Sequence, residues 1–218
     1  MDFTNKTLKE LKAICTKMGI KAVQKKTTDQ LIQMIKCADP SEEALRARHK
    51  LLSDYVRACI AHDYKYGYQT RRQGLPEHIS ENIVKFIIRN HLNDNTCTWA
   101  CAVGDLSSSV FKIIETKSFT SAGPTSFGPK QKWDVIYFLD ARGWLSDRFI
   151  LWEIRLANTD DIWKKMKVKK NQTKDEQSEE GRRPRISWDA LYPQINDHCT
   201  KVYEGTFEGI FTPKEAME

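Results

Sequence analysis

The chain has 218 residues, of which 40% are hydrophobic and 29% are charged, a composition typical of globular proteins and not of disordered ones. This length accommodates one core of ordinary domain size plus a small appendage. No stretch approaches the ~20 apolar residues of a membrane span, and the first residues lack the apolar core of a signal peptide. These features exclude a membrane-spanning protein, and we do not expect the protein to be secreted.

The net charge of +6 arises from 35 basic and 29 acidic residues, a surplus that favours a polyanionic partner. The six cysteines are scattered along the chain without a dense framework, at positions 15, 37, 59, 97, 101 and 199. Reduced thiols in an intracellular protein are the simplest interpretation. Cys97 and Cys101 are spaced like half a zinc site, but no second ligand pair follows them.

The first predicted unit is a short helical pair over residues 1–38, with Thr28 as the expected N-cap of its second helix. Its segment LKELKAICTKMGIKAVQKKTTDQLIQMI resembles the SAP module, a small helical DNA-binding motif. The resemblance implies that Lys21, Lys25 and Lys26 lie near a phosphate backbone, where contacts give affinity but little sequence choice. A plain helical hairpin with a solvated lysine face is the alternative interpretation.

Residues 41–218 are predicted to form a second, larger domain in which helices come first, strands follow and a helix returns near the end. Helices are expected from Ser41 to about Tyr66, from Pro76 or Ser80 to about Leu92, and from Trp188 to Val202. Strands are expected over Val110–Lys117, Trp133–Leu139 and Phe149–Leu156. Residues 164–185 are expected to form loops, with room for a short helix. This order predicts an α/β or α+β core with a mixed central sheet flanked by helices.

Two acidic residues and a lysine stand close together in this domain. Asp105 follows Gly104, nine residues separate Asp105 from Glu115, and Lys117 comes two positions later. Because side chains two apart on a strand share a face, we expect Glu115 and Lys117 to point the same way. Asp105 precedes their strand by a hairpin's length, so it can return beside Glu115. The alternative is a turn aspartate next to a surface ion pair that contributes little.

Two carboxylates and a lysine so placed suit phosphodiester hydrolysis. Carboxylates bind Mg²⁺, which polarises a phosphate and lowers the pKa of a bound water, and lysine can orient or deprotonate that water. The pattern resembles the PD-(D/E)xK nuclease superfamily, with Gly104 at the motif's variable proline position. The resemblance implies that Asp105 and Glu115 hold the metal and that Lys117 activates the water.

Two later segments extend the resemblance. SFTSAGPTSFGPKQKWDVIYFLDAR and GRRPRISWDALYPQI resemble parts of a subset of type II restriction endonucleases, over roughly residues 76–205. This implies a site-specific enzyme that hydrolyses double-stranded DNA with Mg²⁺. Alternatives are a repair or junction nuclease of the same superfamily, a non-catalytic DNA-binding protein and an RNA-binding module.

The implied activity carries further expectations. Cutting both strands of a symmetric site normally takes two active sites, which predicts a homodimer. A cognate DNA methyltransferase acting on the same site would be a natural companion. The expected location is the cytoplasm of a bacterial cell, or a host cell or virion if a large DNA virus encodes the chain.

Other residues are candidates for supporting roles. Glu81, on the helix before the strands, is predicted to be an additional metal ligand or a partner of one, with Glu77 as the weaker choice and a plain helix-terminal glutamate as the alternative. A competing set consists of Asp134, Glu153 and Arg155. It is interpreted as structural or DNA-facing and not as the catalytic centre, because arginine cannot accept a proton near neutral pH.

The remaining candidates are DNA contacts. Hydroxyls in the Gly/Pro-rich loop after Lys117 can bind phosphates or base edges, and arginines can read guanine bidentately. An ordinary loop and a solvated basic face are the alternatives. The predicted contacts are Ser118, Ser121, Ser126, Lys169, Lys170, Arg182, Arg183 and Arg185.

Overall fold

The computed structural model describes residue 3, residues 5–18, residue 20, and residues 23–69, 73–100, 103–128 and 131–213, the side chains at positions 17, 37 and 38 excepted. Two of the residues singled out above, Lys21 and Cys101, lie outside this description, as does the side chain of Cys37. None of the described helices combines the length and the apolar character needed to cross a membrane.

Helices and strands alternate only in the second half of the chain. The helices are α1 Leu8–Lys17, α2 Thr28–Ala38, α3 Glu42–Tyr66, α4 Glu77–His91, α5 Asp161–Lys165, α6 Lys174–Glu179 and α7 Trp188–Ile195. The strands are β1 Thr98–Trp99, β2 Leu106–Ser107, β3 Ile114–Phe119, β4 Thr125–Ser126, β5 Val135–Asp140, β6 Phe149–Ile154, β7 Lys167–Lys169, β8 Gln172–Thr173, β9 Arg185–Ile186 and β10 Cys199–Gly205. Short 3-10 helices cover Trp144–Ser146, Asn196–His198 and Glu208–Phe211.

The amino-terminal helices α1 and α2 pack against each other around a small core of their own. Its buried residues are Phe3, Leu11, Cys15, Val23, Leu31 and Ile35. A capping box begins each helix, and in α2 the cap is Thr27, whose side chain accepts from Gln30 N. The prediction of Thr28 as this cap was therefore wrong by one position, because the glutamine that completes the box lies three residues after Thr27.

Helices α3 and α4 begin and end close to their predicted bounds. The Ser41 side chain accepts from Ala44 N at 3.2 Å, and Gly67, with a φ of +73°, ends α3 in the left-handed conformation that favours glycine. The buried Lys85 of α4 donates to Asp39 after α2. This ion pair fixes the helical pair to the larger domain.

A six-stranded mixed sheet in the order β1-β2-β3-β5-β6-β10 forms the centre of the larger domain. Only the β3–β5 pair is parallel, with Glu115 opposite Ile136 and Lys117 opposite Phe138. All six residues of β5 are buried, as expected for a strand covered on both faces. The predicted mixed sheet flanked by helices is confirmed.

Each face of the sheet has its own apolar cluster. One cluster joins α3, α4 and the final 3-10 helix to one face, with Ile83, Ile114 and Tyr137 among its members. The other joins α5 and α7 to the opposite face and contains four aromatic side chains that contact one another: Phe127, Trp133, Phe138 and Trp163. These two clusters hold β3 between packed layers.

The structure corrects the sequence-based bounds at the two ends of the sheet. The strand predicted over Val110–Lys117 is Ile114–Phe119, because residues before Ile114 turn back towards β2. The helix predicted over Trp188–Val202 ends at Ile195. Its second half is β10, which pairs antiparallel with β6. Pairing with an open sheet edge outweighs the weak helical pattern there.

Candidate active site

A cavity of about 630 Å³ opens between the start of α4, strand β3 and the loop that follows β3. Glu81, Asp105, Glu115 and Lys117 all line it. The four residues predicted to perform or support the chemistry are therefore brought to one concave site. They come from a helix, a turn and a strand, and the packing of α4 against the sheet brings Glu81 to the other three.

Asp105 is held by the backbone of the next strand. Its Oδ2 accepts from Thr116 N at 2.7 Å and from Thr116 Oγ1 at 2.9 Å. The residue before it, Gly104, has a φ of +79°, and a Cβ there would lie 2.9 Å from the Ile114 carbonyl oxygen. Proline, which fixes φ near −65°, cannot adopt this conformation. The positive φ of this turn therefore favours glycine at position 104.

Glu115 and Lys117 share one face of β3, as the strand alternation predicted. Lys117 Nζ donates to Glu115 Oε1, and Gln131 Nε2 donates to the same oxygen at 2.6 Å. Glu115 is buried and Lys117 is nearly so. Burial raises the pKa of the Glu115 carboxyl, while the neighbouring Lys117 opposes that shift. The pair is a partly buried, hydrogen-bonded unit rather than a surface ion pair.

Glu81 completes the acidic side of the cavity. Burial, and after it the nearby Asp105 carboxylate, raises the pKa of Glu81 to about 8. Glu77 and Glu115 add repulsion in the same direction, and Lys117 acts against it. Several carboxylates therefore lie close together, and the single positive charge of Lys117 does not neutralise them.

These oxygen donors fit a hard divalent cation. Mg²⁺ prefers carboxylate oxygens and usually takes only one or two of them, with water and substrate phosphate filling the other positions. No three His, Cys, Asp or Glu side chains of the described residues stand close enough to form a preassembled metal cluster. Asp105 and Glu115 are the residues that could hold such an ion, and the repulsion that raises the Glu81 pKa is what a cation would relieve.

Polar residues predicted to contact DNA form another wall of the cavity. Ser118, Ser121, Ser126 and Arg185 line it. Arg185 reaches this place because β9 pairs antiparallel with β4, which sets Ser126 opposite Arg185. The Phe127 backbone N–H also donates to the Pro184 carbonyl oxygen at 2.9 Å. Two segments about sixty residues apart in the sequence are joined directly beside the acidic group.

The other predicted DNA contacts do not line this cavity. Arg182 is exposed and pairs with Glu180 at 3.1 Å, and Arg183 is exposed next to it. Lys169 ends the exposed β7 and Lys170 follows it. Lys25 and Lys26 lie in the turn between α1 and α2, Lys25 exposed and Lys26 partly so.

The competing set of Asp134, Glu153 and Arg155 forms its hydrogen bonds outside the cavity. Buried Glu153 accepts from Tyr137 OH at 2.6 Å and from Arg155 Nε at 2.7 Å. Asp134 Oδ2 accepts from Ile113 N at 3.0 Å. None of the three lines the cavity around Asp105, so they are not part of the acidic group there.

Two residues of the site were missed by sequence reasoning. Gln131 contacts Glu115 from the loop after β4, and no spacing in the sequence indicates that contact. Thr116, the middle residue of the Glu-x-Lys segment, binds Asp105 from the opposite face of β3. Its role could have been inferred, because a hairpin that returns beside β3 must meet that strand's backbone.

A protein-family model described as the Bsp6I restriction endonuclease matches residues 58–191, more than half of the chain. The match begins within α3, ends within α7 and includes the whole acidic cavity. No curated protein and no solved structure matches the chain.

Proposed function

The chain belongs to the Bsp6I restriction endonuclease family, and from that premise we propose that it is a type II, site-specific endonuclease that hydrolyses double-stranded DNA with Mg²⁺ at a PD-(D/E)xK centre. The observation that carries this proposal is the convergence of Asp105, Glu115 and Lys117 on one cavity. Their residue types and order match the nuclease motif, and the cavity is open enough to admit a phosphodiester.

Asp105 and Glu115 would hold the ion, with Glu81 as an additional acidic partner. When bound, Mg²⁺ neutralises negative charge on a phosphate oxygen and lowers the pKa of a coordinated water. Asp105 is suited to this role because both hydrogen bonds that it accepts end on Oδ2, which leaves Oδ1 to face a ligand. Glu115 is fixed by Lys117 and Gln131, so its carboxylate needs little reorganisation.

Lys117 would orient the attacking water and stabilise negative charge developing on the phosphate. Strand parity supports this role, because it puts the Lys117 side chain beside Glu115 and on the wall of the cavity. The partial burial of Lys117 strengthens its electrostatic effect, because a charge away from bulk water is screened less.

Arg185 and the hydroxyls of Ser118, Ser121 and Ser126 would contact the DNA next to the cleaved bond. An arginine at the cavity wall can bond bidentately to guanine O6 and N7, and serine hydroxyls can bind phosphates. The exposed Arg182, Arg183, Lys169 and Lys170 would add contacts at a greater distance. The helical pair α1–α2, as a SAP-like module, would add affinity without sequence choice.

The same proposal includes a homodimer, in which each subunit cuts one strand of a symmetric site. A cognate methyltransferase and a cytoplasmic location would follow from a role in restriction. Both concern the cell rather than the site.

Digestion of unmethylated phage DNA with Mg²⁺, followed by sequencing of the fragment ends, tests the proposal. Discrete fragments that share one short sequence at their ends are the expected result. Random degradation, or cutting only of branched DNA, would contradict site-specific cleavage of duplex DNA. Omission of Mg²⁺ should prevent cutting, and EDTA should stop a reaction in progress.

A further inference from the structure

The last turns of helix α3 extend beyond the packed core of the protein. The buried residues of α3 are Leu45, His49, Ser53 and Val56, all in its first fifteen residues. From Ala61 to Tyr66 every residue except Asp63 is exposed. Helices of this kind are stabilised mainly by packing of one face against a neighbour. In the final turns of α3, Tyr64 and Tyr66 are 92% and 57% exposed, so the core does not stabilise these two side chains.

An apolar stripe runs along the exposed side of this helix. At about 100° per residue, the side chains of Leu51, Tyr55, Ala58, Cys59, His62 and Tyr66 fall within roughly 100° of arc. Leu51 is 71% exposed, Tyr55 58% and Tyr66 57%. The stripe lies about 130° around the helix from the buried face. Within the same subunit, the Tyr68 ring stacks on His62 near the end of the stripe, with ring centroids 5.9 Å apart. The stripe contains no lysine or arginine.

The order of residues in the stripe is self-complementary. If two copies of α3 pack antiparallel about a two-fold axis between positions 58 and 59, Leu51 meets the partner's Tyr66 and Tyr55 meets the partner's His62. The small Ala58 and Cys59 then face each other at the centre, where helix axes approach most closely. An isologous interface requires this kind of symmetry, since the same patch serves both subunits.

We propose that this stripe is the surface through which two copies of the chain form the homodimer. The interface would be an antiparallel pair of α3 helices, about 22 Å long between Leu51 and Tyr66. Aromatic residues of this type supply much of the contact area in protein interfaces. The choice of a second copy as the partner rests on the proposed function, whereas the self-complementary order does not.

Charged residues beside the stripe fit the same arrangement. Asp54 and Lys65 lie on the flank of α3 away from the core, and both are exposed. About the same two-fold axis, Lys65 comes within about one helical turn of the partner's Asp54. Asp54 already accepts from Lys50 at 2.6 Å on its own helix. Lys65 and Asp54 would therefore meet twice across the dimer, once on each side of the two-fold axis.

Cross-linking of the native protein tests the interface without altering it. Cys59 lies half a residue from the proposed axis, so the two Cys59 thiols lie on the same side of the helix pair and close together. A short bismaleimide linker should join two wild-type chains, and Cys59→Ser should abolish the covalent dimer. A wild-type chain that gives no Cys59-dependent dimer under these conditions would overturn the proposal.

Sedimentation of two matched variants gives an independent measurement. Tyr55 and Tyr64 are nine residues apart and therefore point in opposite directions, and Tyr64 is 92% exposed. Tyr55→Arg should raise the dimer dissociation constant at least about 30-fold, whereas Tyr64→Arg should leave it unchanged. Circular dichroism spectra that match the wild type would show that each variant is folded.

The outcomes separate the interface from the enzymatic activity. A Cys59-linked dimer that does not cut DNA would refute the proposed function and leave the interface standing. A monomer that cuts both strands would refute the interface and the homodimer, and would leave the endonuclease activity standing. If Tyr55→Arg stays dimeric but binds DNA differently, the stripe is a DNA contact and the proposal is wrong.

Discussion

Gln131 Nε2 donates to Glu115 Oε1 at 2.6 Å, and the Oε1 of the same Gln131 side chain accepts from Gly128 N at 2.5 Å. The Gln131 side chain therefore links Glu115 of β3 to Gly128, which follows β4. Ser126 of β4 lies opposite Arg185. The proposed metal ligand and the proposed DNA-contacting wall share this link. If DNA binding moved Gly128, the Gln131 side chain would transmit that movement to Glu115.

Replacement of Gln131 by Ala should lower the rate of cleavage by about 10- to 100-fold, the usual effect of removing a residue that positions a metal ligand. The expected signature is a higher Mg²⁺ concentration for half-maximal single-turnover rate, with affinity for DNA in Ca²⁺ little changed. Gln33→Ala, on an exposed position of α2, is the matched control. An unchanged Mg²⁺ dependence in Gln131→Ala would show that the contact with Glu115 is only structural.

Arg185 and Arg182 should differ in what they contribute to DNA binding. Arg185 lines the cavity, whereas Arg182 lies outside it and pairs with Glu180. Arg185→Ala should lower discrimination between the cleavage site and an unrelated duplex by about 1–3 kcal/mol. Arg182→Ala should weaken binding to both duplexes alike and reduce its salt dependence. Fluorescence anisotropy titrations at several salt concentrations measure both effects, and equal losses of discrimination would contradict this assignment.

His49 is buried without a hydrogen-bond partner for Nε2 and stacks on Phe207, with ring centroids 3.8 Å apart. Burial lowers the pKa of His49, and the nearby Arg57 acts in the same direction against Asp147 and Glu208. Because the imidazole is neutral in the folded protein, the unfolded chain binds a proton first as the pH falls. Stability is therefore fully present above about pH 6.5 and decreases below it.

The free energy of unfolding should fall by up to about 1.4 kcal/mol per pH unit below that point, until the pH reaches the folded-state pKa of His49. The change His49→Phe keeps an aromatic ring against Phe207 and should remove this part of the pH dependence. His198→Ala, at an exposed site, should leave the dependence intact. Urea titrations between pH 5 and 8 compare the three proteins. A slope that persists in His49→Phe would assign it to other groups.

The sequence was informative wherever a local pattern determines the structure. Strand parity predicted that Glu115 and Lys117 share a face, and the continuous apolar run predicted the buried strand β5. Thr27 rather than Thr28 caps α2, an error of one position between two equivalent residue types. The parts predicted well depend on neighbours within a few residues.

The parts that were missed depend on contacts between distant segments. Strand β10 was predicted as helix because only its pairing with β6 makes it a strand. Gln131 and Arg185 reach the site through loop packing and the β4–β9 pair. Arg182 and Arg183 could not be separated from Arg185 by sequence, since all three share one short basic segment. Tertiary geometry alone distinguishes them.

Cleavage by the Lys117→Ala variant is the sharpest test of this active site, because Lys117 contacts Glu115 and lines the cavity without supporting the apolar core. Single-turnover cleavage of a duplex carrying the site should be compared with wild type in Mg²⁺, and binding of the same duplex should be measured in Ca²⁺. The predicted result is a loss of cleavage of about 100-fold or more with binding and thermal stability nearly retained. Magnesium-dependent cleavage that continues at the wild-type rate would contradict the assignment of Asp105, Glu115 and Lys117 as the active site.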